Sequence, residues 1–269
     1  MASRSDGSAA PASGVLGQSA AEWASSRWVE VESGRVRYRE AGSGKPIVLV
    51  HGLGVSADYW VRNGPALAAA GFRVLAPDLP GFGRTAGPRD GLTVAAQAEA
   101  VHRWAEALEL PPAVYVGHSL SCQTILELAV VHPETVRGLV LAAPTGKGTP
   151  VWRLLGQAIG LIRDVRRESV KLAALVFEAY LQAGPSRILR TWKLGAEHDI
   201  RPLLPRVRVP ALVVLGDRDP VVDLEFAQQV ADGLPLARLA RVVAGAHAVI
   251  FDPSGEFNRE VLRFVEGIG

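Results

Sequence analysis

The sequence of 269 residues predicts an α/β fold, in which a mostly parallel central sheet is flanked by helices and carries a helical insertion. Two observations predict it. Short apolar runs without polar alternation recur along the chain with helical patterns between them, as is typical of parallel strands buried on both faces. Between residues 145 and 205 the strand signals stop and only helical patterns remain, before a further apolar run begins at Ala211.

The elements can be placed in chain order. Residues 28–32 and 36–40 alternate around Ser33-Gly34, which predicts an antiparallel hairpin at the start. The buried runs that predict the remaining strands are Ile47–Val50, Arg73–Ala76, Ala113–Val116, Gly138–Leu141, Ala211–Leu215 and Arg241–Val243. The predicted helices of the sheet region are Ala57–Ala70, Thr93–Leu108, Leu120–His132 and Glu256–Glu266. Right-handed crossovers bring the loops at the carboxyl ends of the strands to one edge.

Composition limits the classes of function. A hydrophobic content of 48% over 269 residues suits one α/β domain with an insertion. The formal net charge of +2 comes from scattered arginines that are not interleaved with aromatic residues, so no nucleic-acid surface is expected. A single cysteine, Cys122, excludes an internal disulfide, and no run of 18 apolar residues predicts a membrane span.

The first 26 residues are rich in Ala, Ser and Gly. They lack the basic and apolar regions of a secretory signal, so we expect a disordered segment and a cytoplasmic protein.

Ser119 is the strongest candidate for a reactive residue. It lies in Gly117-His118-Ser119-Leu120-Ser121, directly after the apolar run 113–116 and directly before a helical pattern. A serine between small residues at a sharp strand-to-helix turn is typical of a nucleophile elbow. Ser121 stands where the motif has a second glycine, and we expect that position to require small size.

A nucleophilic serine needs a base, and the base needs an acid to fix its tautomer. His247 follows the apolar run 241–243, and two carboxylates, Asp217 and Asp219, follow the run 211–215. The resulting order of Ser, Asp and His, each after a strand, is the order found in α/β hydrolases.

The sequence from about Arg27 to the C-terminus resembles the α/β-hydrolase superfamily. The family pattern of glycine, two residues and aspartate, starting from Gly216, selects Asp219 as the acid over Asp217. The resemblance therefore implies a triad of Ser119, Asp219 and His247. The resemblance also implies that the protein needs no metal and no cofactor, and that its partner is a small-molecule substrate.

Further motifs extend the resemblance. His51-Gly52-Leu53-Gly54 after the run 47–50 looks like the family's oxyanion loop, which implies that the backbone amides of Leu53 and Leu120 stabilise an oxyanion. The insertion at 145–205 looks like the family's helical cap, between core segments 27–144 and 206–269. The aromatic residues of the cap that we expect to contact substrate are Trp152, Phe177, Tyr180 and Trp192.

The resemblance implies a serine hydrolase that cleaves a small-to-medium hydrophobic carboxylic ester or lactone through an acyl-enzyme. Two other activities use the same residues: hydrolysis of a carbon–carbon bond in aromatic catabolism, and cofactor-free perhydrolysis of the haloperoxidase type. The familiar carbon–carbon hydrolases carry tryptophan after the histidine, where this chain has Ala248. A biosynthetic lyase or cyclase, or a binding protein on the same scaffold, is a further alternative, because fold alone does not give function.

Overall fold

The computed structural model describes residues 13–148 and 170–268. The described residues form an eight-stranded sheet with the strand order β1-β2-β4-β3-β5-β6-β7-β8. The strands are β1 (Arg27–Val31), β2 (Gly34–Ala41), β3 (Pro46–Val50), β4 (Arg73–Pro77), β5 (Ala113–His118), β6 (Val136–Ala142), β7 (Ala211–Gly216) and β8 (Ala237–Val242). The described helices are α1 (Ser13–Ala24), α2 (Gly64–Ala69), α3 (Val94–Ala107), α4 (Ser121–Val131), α5 (Val170–Ala183), α6 (Pro185–Glu197), α7 (Leu224–Gly233) and α8 (Ser254–Gly267).

The sheet is parallel except at one edge, where β2 pairs antiparallel with both β1 and β4. Its register aligns the carboxyl ends of the central strands. Val50 at the end of β3 pairs with Gly117 of β5, and Gly216 at the end of β7 pairs with Val242 of β8. The loops after β3, β5, β7 and β8 therefore leave the sheet at the same edge.

Alternating side chains of each central strand enter two separate cores. In β3, Val48 and Val50 pack with α3, α4 and α7, whereas Ile47 and Leu49 pack with α1, α2 and α8. All four side chains are fully buried. This burial on both faces explains the apolar runs without alternation, and the predicted α/β fold class is confirmed.

Two predicted boundaries need correction. The helix expected over 57–70 is a short 3-10 turn, Ala57–Trp60, followed by α2. Pro65 stands at the start of α2, where its missing N–H costs nothing, and it cannot continue a helix from the preceding turn. Strand β8 begins at Ala237 rather than Arg241, because it is an edge strand whose exposed positions are polar and hide the strand signal.

The expectation of disorder through residue 26 is wrong for residues 13–24, which form α1. Trp23 near the end of this helix is 3% exposed and lies against Gly64, where an added Cβ would approach the indole to 2.4 Å. The absence of a side chain at Gly64 therefore leaves the space that the Trp23 indole occupies. Residues 1–12 lie outside the described residues.

Most of the described residues of the insertion lie in the two helices α5 and α6. Helices α5 and α6 are separated by Gly184, which has a φ of +79° that suits glycine, and Pro185 begins α6. Leu172 and Ala179 of α5 are buried in the core on the α8 side of the sheet. Residues 149–169, which include Trp152, lie outside the described residues. Among the described helices, none is long and apolar enough to cross a membrane.

Candidate active site

Ser119 occupies a strained turn between β5 and α4. Its φ is +56°, a left-handed conformation that few residues other than glycine adopt. A Cβ at Gly117 would lie 2.9 Å from both Ile125 Cδ1 and the Ser121 carbonyl oxygen, so position 117 requires glycine. Strain of about 1–3 kcal/mol at such a residue persists only where the surrounding structure holds it, and it is concentrated at functional sites.

Three side chains from three loops meet at this turn. His247 Nε2 lies 3.0 Å from Ser119 Oγ, and His247 Nδ1 lies 3.0 Å from Asp219 Oδ2. With Nδ1 protonated and donating to the carboxylate, Nε2 has a lone pair available for the serine hydroxyl proton. The structure therefore brings together all three residues that the sequence selected.

The loop after β7 holds Asp219 as a carboxylate. Its Oδ1 accepts hydrogen bonds from the backbone N–H groups of Val221 and Val222, at 2.7 and 2.9 Å. Burial alone would raise the pKa of Asp219, but the neighbouring His247 and these two amides outweigh it and hold the pKa below its ordinary value. The competing Asp217 is exposed to solvent.

A further carboxylate near this loop, Asp223, is the N-cap of α7. It accepts a hydrogen bond from the Phe226 amide at 2.7 Å and is ion-paired with Lys147. Asp219 is the carboxylate that contacts the imidazole of His247, with its Oδ2 3.0 Å from Nδ1.

Two backbone amides at the edge of the cavity have no hydrogen-bond partner among the described residues. The N–H groups of Leu53 and Leu120 donate to no other described residue, and both residues line the cavity that contains Ser119 Oγ. Free amides at this position suit a developing oxyanion, since they are oriented before the reaction starts.

His51 orders the loop that carries Leu53. Its Nε2 accepts a hydrogen bond from the Leu79 amide at 2.9 Å, which places the ring proton on Nδ1, where it donates to the Gly52 carbonyl. Burial lowers the pKa of His51, so the neutral ring needed for both bonds is favoured.

His118 is a functional neighbour that the sequence did not single out. Its Nε2–H donates to the backbone carbonyl of His247 at 2.8 Å, and the two imidazole centroids are 5.1 Å apart. The residue before the serine thus fixes the backbone of the residue whose ring contacts Ser119 Oγ. The only sequence signal was adjacency to Ser119, which does not reveal where the ring points.

Burial and the nearby His247 lower the pKa of His118 to about 3. The unfolded chain binds a proton at this residue below about pH 6.5, whereas the folded chain does so only near pH 3. Stability contributed by the neutral ring is therefore present above pH 6.5 and is lost as the pH falls towards 3.

We expect the free energy of unfolding to fall by up to about 1.4 kcal/mol per pH unit for each of His51 and His118 below pH 6.5. Urea unfolding at a series of pH values measures this slope. In His118→Gln the dependence of the unfolding free energy on pH between pH 6 and 4.5 should be weaker by the contribution of one proton, about 1.4 kcal/mol per pH unit. An unchanged slope in this variant would contradict the assignment of a buried neutral ring.

Ser121 contributes more than small size. Its buried hydroxyl donates to the Val50 carbonyl at 2.7 Å and accepts from the His118 amide at 2.8 Å. Val50 ends β3, directly before the loop that carries Leu53. The hydroxyl thus ties the turn of Ser119 to the loop that provides the other free amide, which corrects the expectation that only size matters at position 121.

His198, a histidine of the insertion, does not reach this cluster. It hydrogen bonds to Glu127 on the outer part of α4 at 2.9 Å and is not among the residues that line the cavity. Its side chain joins the end of α6 to α4.

A cavity of about 870 Å³ opens over Ser119 Oγ. Most of its described lining side chains are apolar, and Phe177, Tyr180 and Trp192 of the insertion are among them, although Phe177 is 67% exposed. Trp152 lies outside the described residues. The described charged residues of the lining, apart from His247, are Lys147 and Asp223, which are paired with each other at 2.7 Å.

The insertion lies directly on the two loops with free amides. A Cβ added to Gly54, the residue after Leu53, would come within 2.5 Å of the Tyr180 ring. A Cβ added to Gly195 of α6 would come within 2.5 Å of the Leu120 side chain. The small residues Gly54 and Gly195 allow α5 and α6 to close over the reacting position.

The chain is similar to known proteins along most of its length. The model of the α/β-hydrolase fold family matches residues 45–167. The provisionally named carbamate hydrolase RutD of Rhizobium rhizogenes strain K84 is 31% identical over 253 residues, covering 82% of this chain and 92% of that protein. A 2-hydroxy-6-oxo-6-phenylhexa-2,4-dienoate hydrolase of Burkholderia cepacia is 26% identical over 86% of this chain and 91% of its own.

A solved structure is similar over the same range. The enol-lactonase of Burkholderia xenovorans LB400 superimposes with a TM-score of 0.76 at 22% identity, covering 89% of this chain and 100% of that one. Its likeness supports the fold, and the carbamate hydrolase supports the family. The chain belongs to the α/β-hydrolase family of enzymes.

Proposed function

We propose that the protein is a serine hydrolase that cleaves a small-to-medium hydrophobic carboxylic ester or lactone through an acyl-enzyme. The observation that carries the proposal is Ser119 in a strained turn, with its Oγ 3.0 Å from His247 Nε2 and that ring held by Asp219. A hydroxyl with a base at this distance is an activated nucleophile.

In the proposed reaction, Ser119 Oγ attacks the substrate carbonyl carbon while His247 Nε2 takes the hydroxyl proton. The carbonyl oxygen becomes an oxyanion that accepts hydrogen bonds from the Leu53 and Leu120 amides. His247 then gives its proton to the leaving oxygen as the carbon–oxygen bond breaks, which leaves an ester on Ser119. Water, deprotonated by His247, attacks this ester and releases the acid and the serine. None of these steps calls for a metal or an organic cofactor.

The lining of the cavity favours a neutral, hydrophobic substrate. Its described side chains are mostly apolar, and Lys147 is already neutralised by Asp223. Asp223 also accepts a hydrogen bond as the N-cap of α7, so both charged groups of the pair already have partners within the protein. A charged substrate would lose hydration in this cavity without gaining a partner among the described residues.

The same observation separates the proposal from carbon–carbon bond hydrolysis. The relative from Burkholderia cepacia is named for a dienoate, a substrate that carries a carboxylate. An unpaired cation would favour such a group, and the only ammonium of the described lining, that of Lys147, is paired with Asp223. Ala248 after the histidine is a second difference from the familiar members of that class.

A substrate panel tests this choice. Purified protein should hydrolyse p-nitrophenyl esters and medium-chain lactones, with Ser119→Ala as the inactive control. We expect kcat/KM for uncharged esters to exceed that for a matched ester bearing an acyl-chain carboxylate by at least tenfold. Cleavage of a ring-fission dienoate more efficient than that of every ester would overturn the proposed substrate class.

We further propose that residues 145–205 act as a cap that selects the acyl chain, on a core of residues 27–144 and 206–269. The contacts of Tyr180 with Gly54 and of Gly195 with Leu120 support this role, since both place the insertion over the amides that would bind the oxyanion. The triad and the amides contact only the reacting group, so discrimination falls to the walls of the cavity.

Trp192→Ala should therefore shift the preferred acyl chain to greater length. Each methylene accommodated or excluded in an apolar pocket changes discrimination by about 1–3 kcal/mol, so the order of a chain-length series should change. The measurement is kcat/KM across p-nitrophenyl esters from acetate to decanoate. Leu181→Ala is the matched control, because Leu181 belongs to α5 but is 68% exposed and does not line the cavity.

A profile that is the same in Trp192→Ala and in wild type would show that Trp192 does not shape the acyl pocket. A profile that shifts equally in Leu181→Ala would mean that the helices, rather than the lining side chain, determine the preference.

A further inference from the structure

Two histidines stack at the end of the sheet opposite to Ser119. The rings of His102, on α3, and His132, directly after α4, have centroids 3.6 Å apart and planes inclined by 9°. Helix α4 begins just after Ser119 and has 11 residues, which corresponds to about 16 Å. The pair therefore lies well outside the cavity and takes no part in the proposed hydrolysis.

One nitrogen of each ring has a good hydrogen bond. His102 Nδ1 lies 3.0 Å from Thr135 Oγ1, and His132 Nε2 lies 2.8 Å from Glu99 Oε2. A neutral imidazole has one N–H, and the carboxylate of Glu99 only accepts. With these nitrogens as the donors, the other nitrogen of each ring carries a lone pair.

The other two nitrogens face carboxylates at a greater distance. His132 Nδ1 lies 3.5 Å from Glu134 Oε1, and His102 Nε2 lies 3.5 Å from Glu106 Oε1. These separations exceed the length of an N–H···O bond. A lone pair opposite a carboxylate is an arrangement that a metal cation can bridge.

Of the three carboxylates at the cluster, only Glu134 is not paired with an arginine among the described residues. Arg103 bridges Glu99 and Glu106, at 2.7 and 3.1 Å, and so neutralises part of their charge. Glu134 has no described partner other than His132, and its side chain is 67% exposed and free to rotate. One nitrogen from each histidine and one oxygen of Glu134 lie within 4.8 Å of one another.

We propose that His102, His132 and Glu134 form a binding site for a divalent transition-metal ion of the zinc class. Two imidazoles and one carboxylate are typical ligands for such an ion, and imidazole selects it over Mg²⁺ and Ca²⁺. Bonds of about 2.1 Å bring tetrahedral ligands to about 3.4 Å from one another, so binding requires a turn of the rings and of the exposed Glu134. Thr135 and Glu99 orient the two rings from behind, as partners of metal-bound histidines do.

Zn²⁺ titration by calorimetry tests the proposal on full-length protein that has no histidine tag and has been treated with EDTA. Co²⁺ provides a second readout, because its visible absorption reports nitrogen and oxygen ligands directly. Wild type should bind one equivalent of Zn²⁺ at this site and should melt at a higher temperature with Zn²⁺ than with Mg²⁺. His132→Gln should abolish that equivalent, and Glu134→Gln should weaken it by at least tenfold.

His198→Gln is the matched control, because His198 and Glu127 form a single histidine–carboxylate pair without a second imidazole. It should bind Zn²⁺ as wild type does. Zn²⁺ binding that is equal in wild type, His132→Gln and Glu134→Gln would overturn the proposal, as would equal binding of Mg²⁺. Glu134→Gln changes only an exposed side chain, so it remains informative if His132→Gln fails to fold. Ester hydrolysis should be the same with and without Zn²⁺.

Discussion

Ser119→Ala is expected to lower kcat for ester hydrolysis by on the order of 10⁵ to 10⁶, because it removes the hydroxyl that we propose forms the covalent intermediate. The remaining rate over water should come from the free amides of Leu53 and Leu120 and from binding in the cavity. Steady-state kinetics on a p-nitrophenyl ester measures the loss.

Thermal unfolding is the control for Ser119→Ala. Alanine adopts the φ of +56° at a cost similar to that of serine, so the melting temperature should change little. A well-folded variant that keeps more than a few per cent of wild-type kcat would contradict the assigned nucleophile.

Asp219→Asn is expected to lower kcat by on the order of 10⁴ while leaving the fold intact. The Val221 and Val222 amides donate to Oδ1, so the asparagine oxygen should occupy that position and its NH₂ group should take the place of Oδ2. That NH₂ group would then face His247 Nδ1, 3.0 Å away in the wild type. The ring must accept at Nδ1 and carry its proton on Nε2, where it cannot act as a base towards Ser119.

Asp217→Asn is the matched control for this variant, since Asp217 lies two residues away on the same loop and is exposed. Its kcat should stay within a few-fold of wild type. A larger loss in Asp217→Asn than in Asp219→Asn would show that the acid has been assigned to the wrong residue.

The meeting of Ser119, Asp219 and His247 could be predicted from sequence because each lies in the loop that follows a strand with a recognisable apolar segment. Ser119 follows β5, Asp219 follows β7 and His247 follows β8. Parallel strands end at one edge of the sheet, which explains why the three loops meet, and the family pattern after Gly216 was needed to choose Asp219 over Asp217.

The roles of His118 and Ser121 could not be predicted in the same way. Each depends on the direction of one polar group: His118 Nε2 towards the His247 carbonyl, and Ser121 Oγ towards the Val50 carbonyl. These partners lie 129 and 71 residues away along the chain. No local pattern encodes such a bond, because the acceptor is a backbone oxygen that every residue carries.

Helix α1 was missed for a related reason. Its sequence is rich in Ala, Ser and Gly, which resembles a disordered segment. In the structure, Trp23 of this helix is buried against Gly64, and this contact is tertiary. A single tryptophan in a small-residue segment was the available signal.

Mass spectrometry of the protein after reaction with a fluorophosphonate tests the central claim most directly. The reagent forms a stable adduct only with a serine that is activated by a base and next to oxyanion donors. We predict one adduct per chain, located by peptide mapping on Ser119, and none in Ser119→Ala. An adduct on any other residue of the wild type, or labelling that persists in Ser119→Ala, would contradict the account.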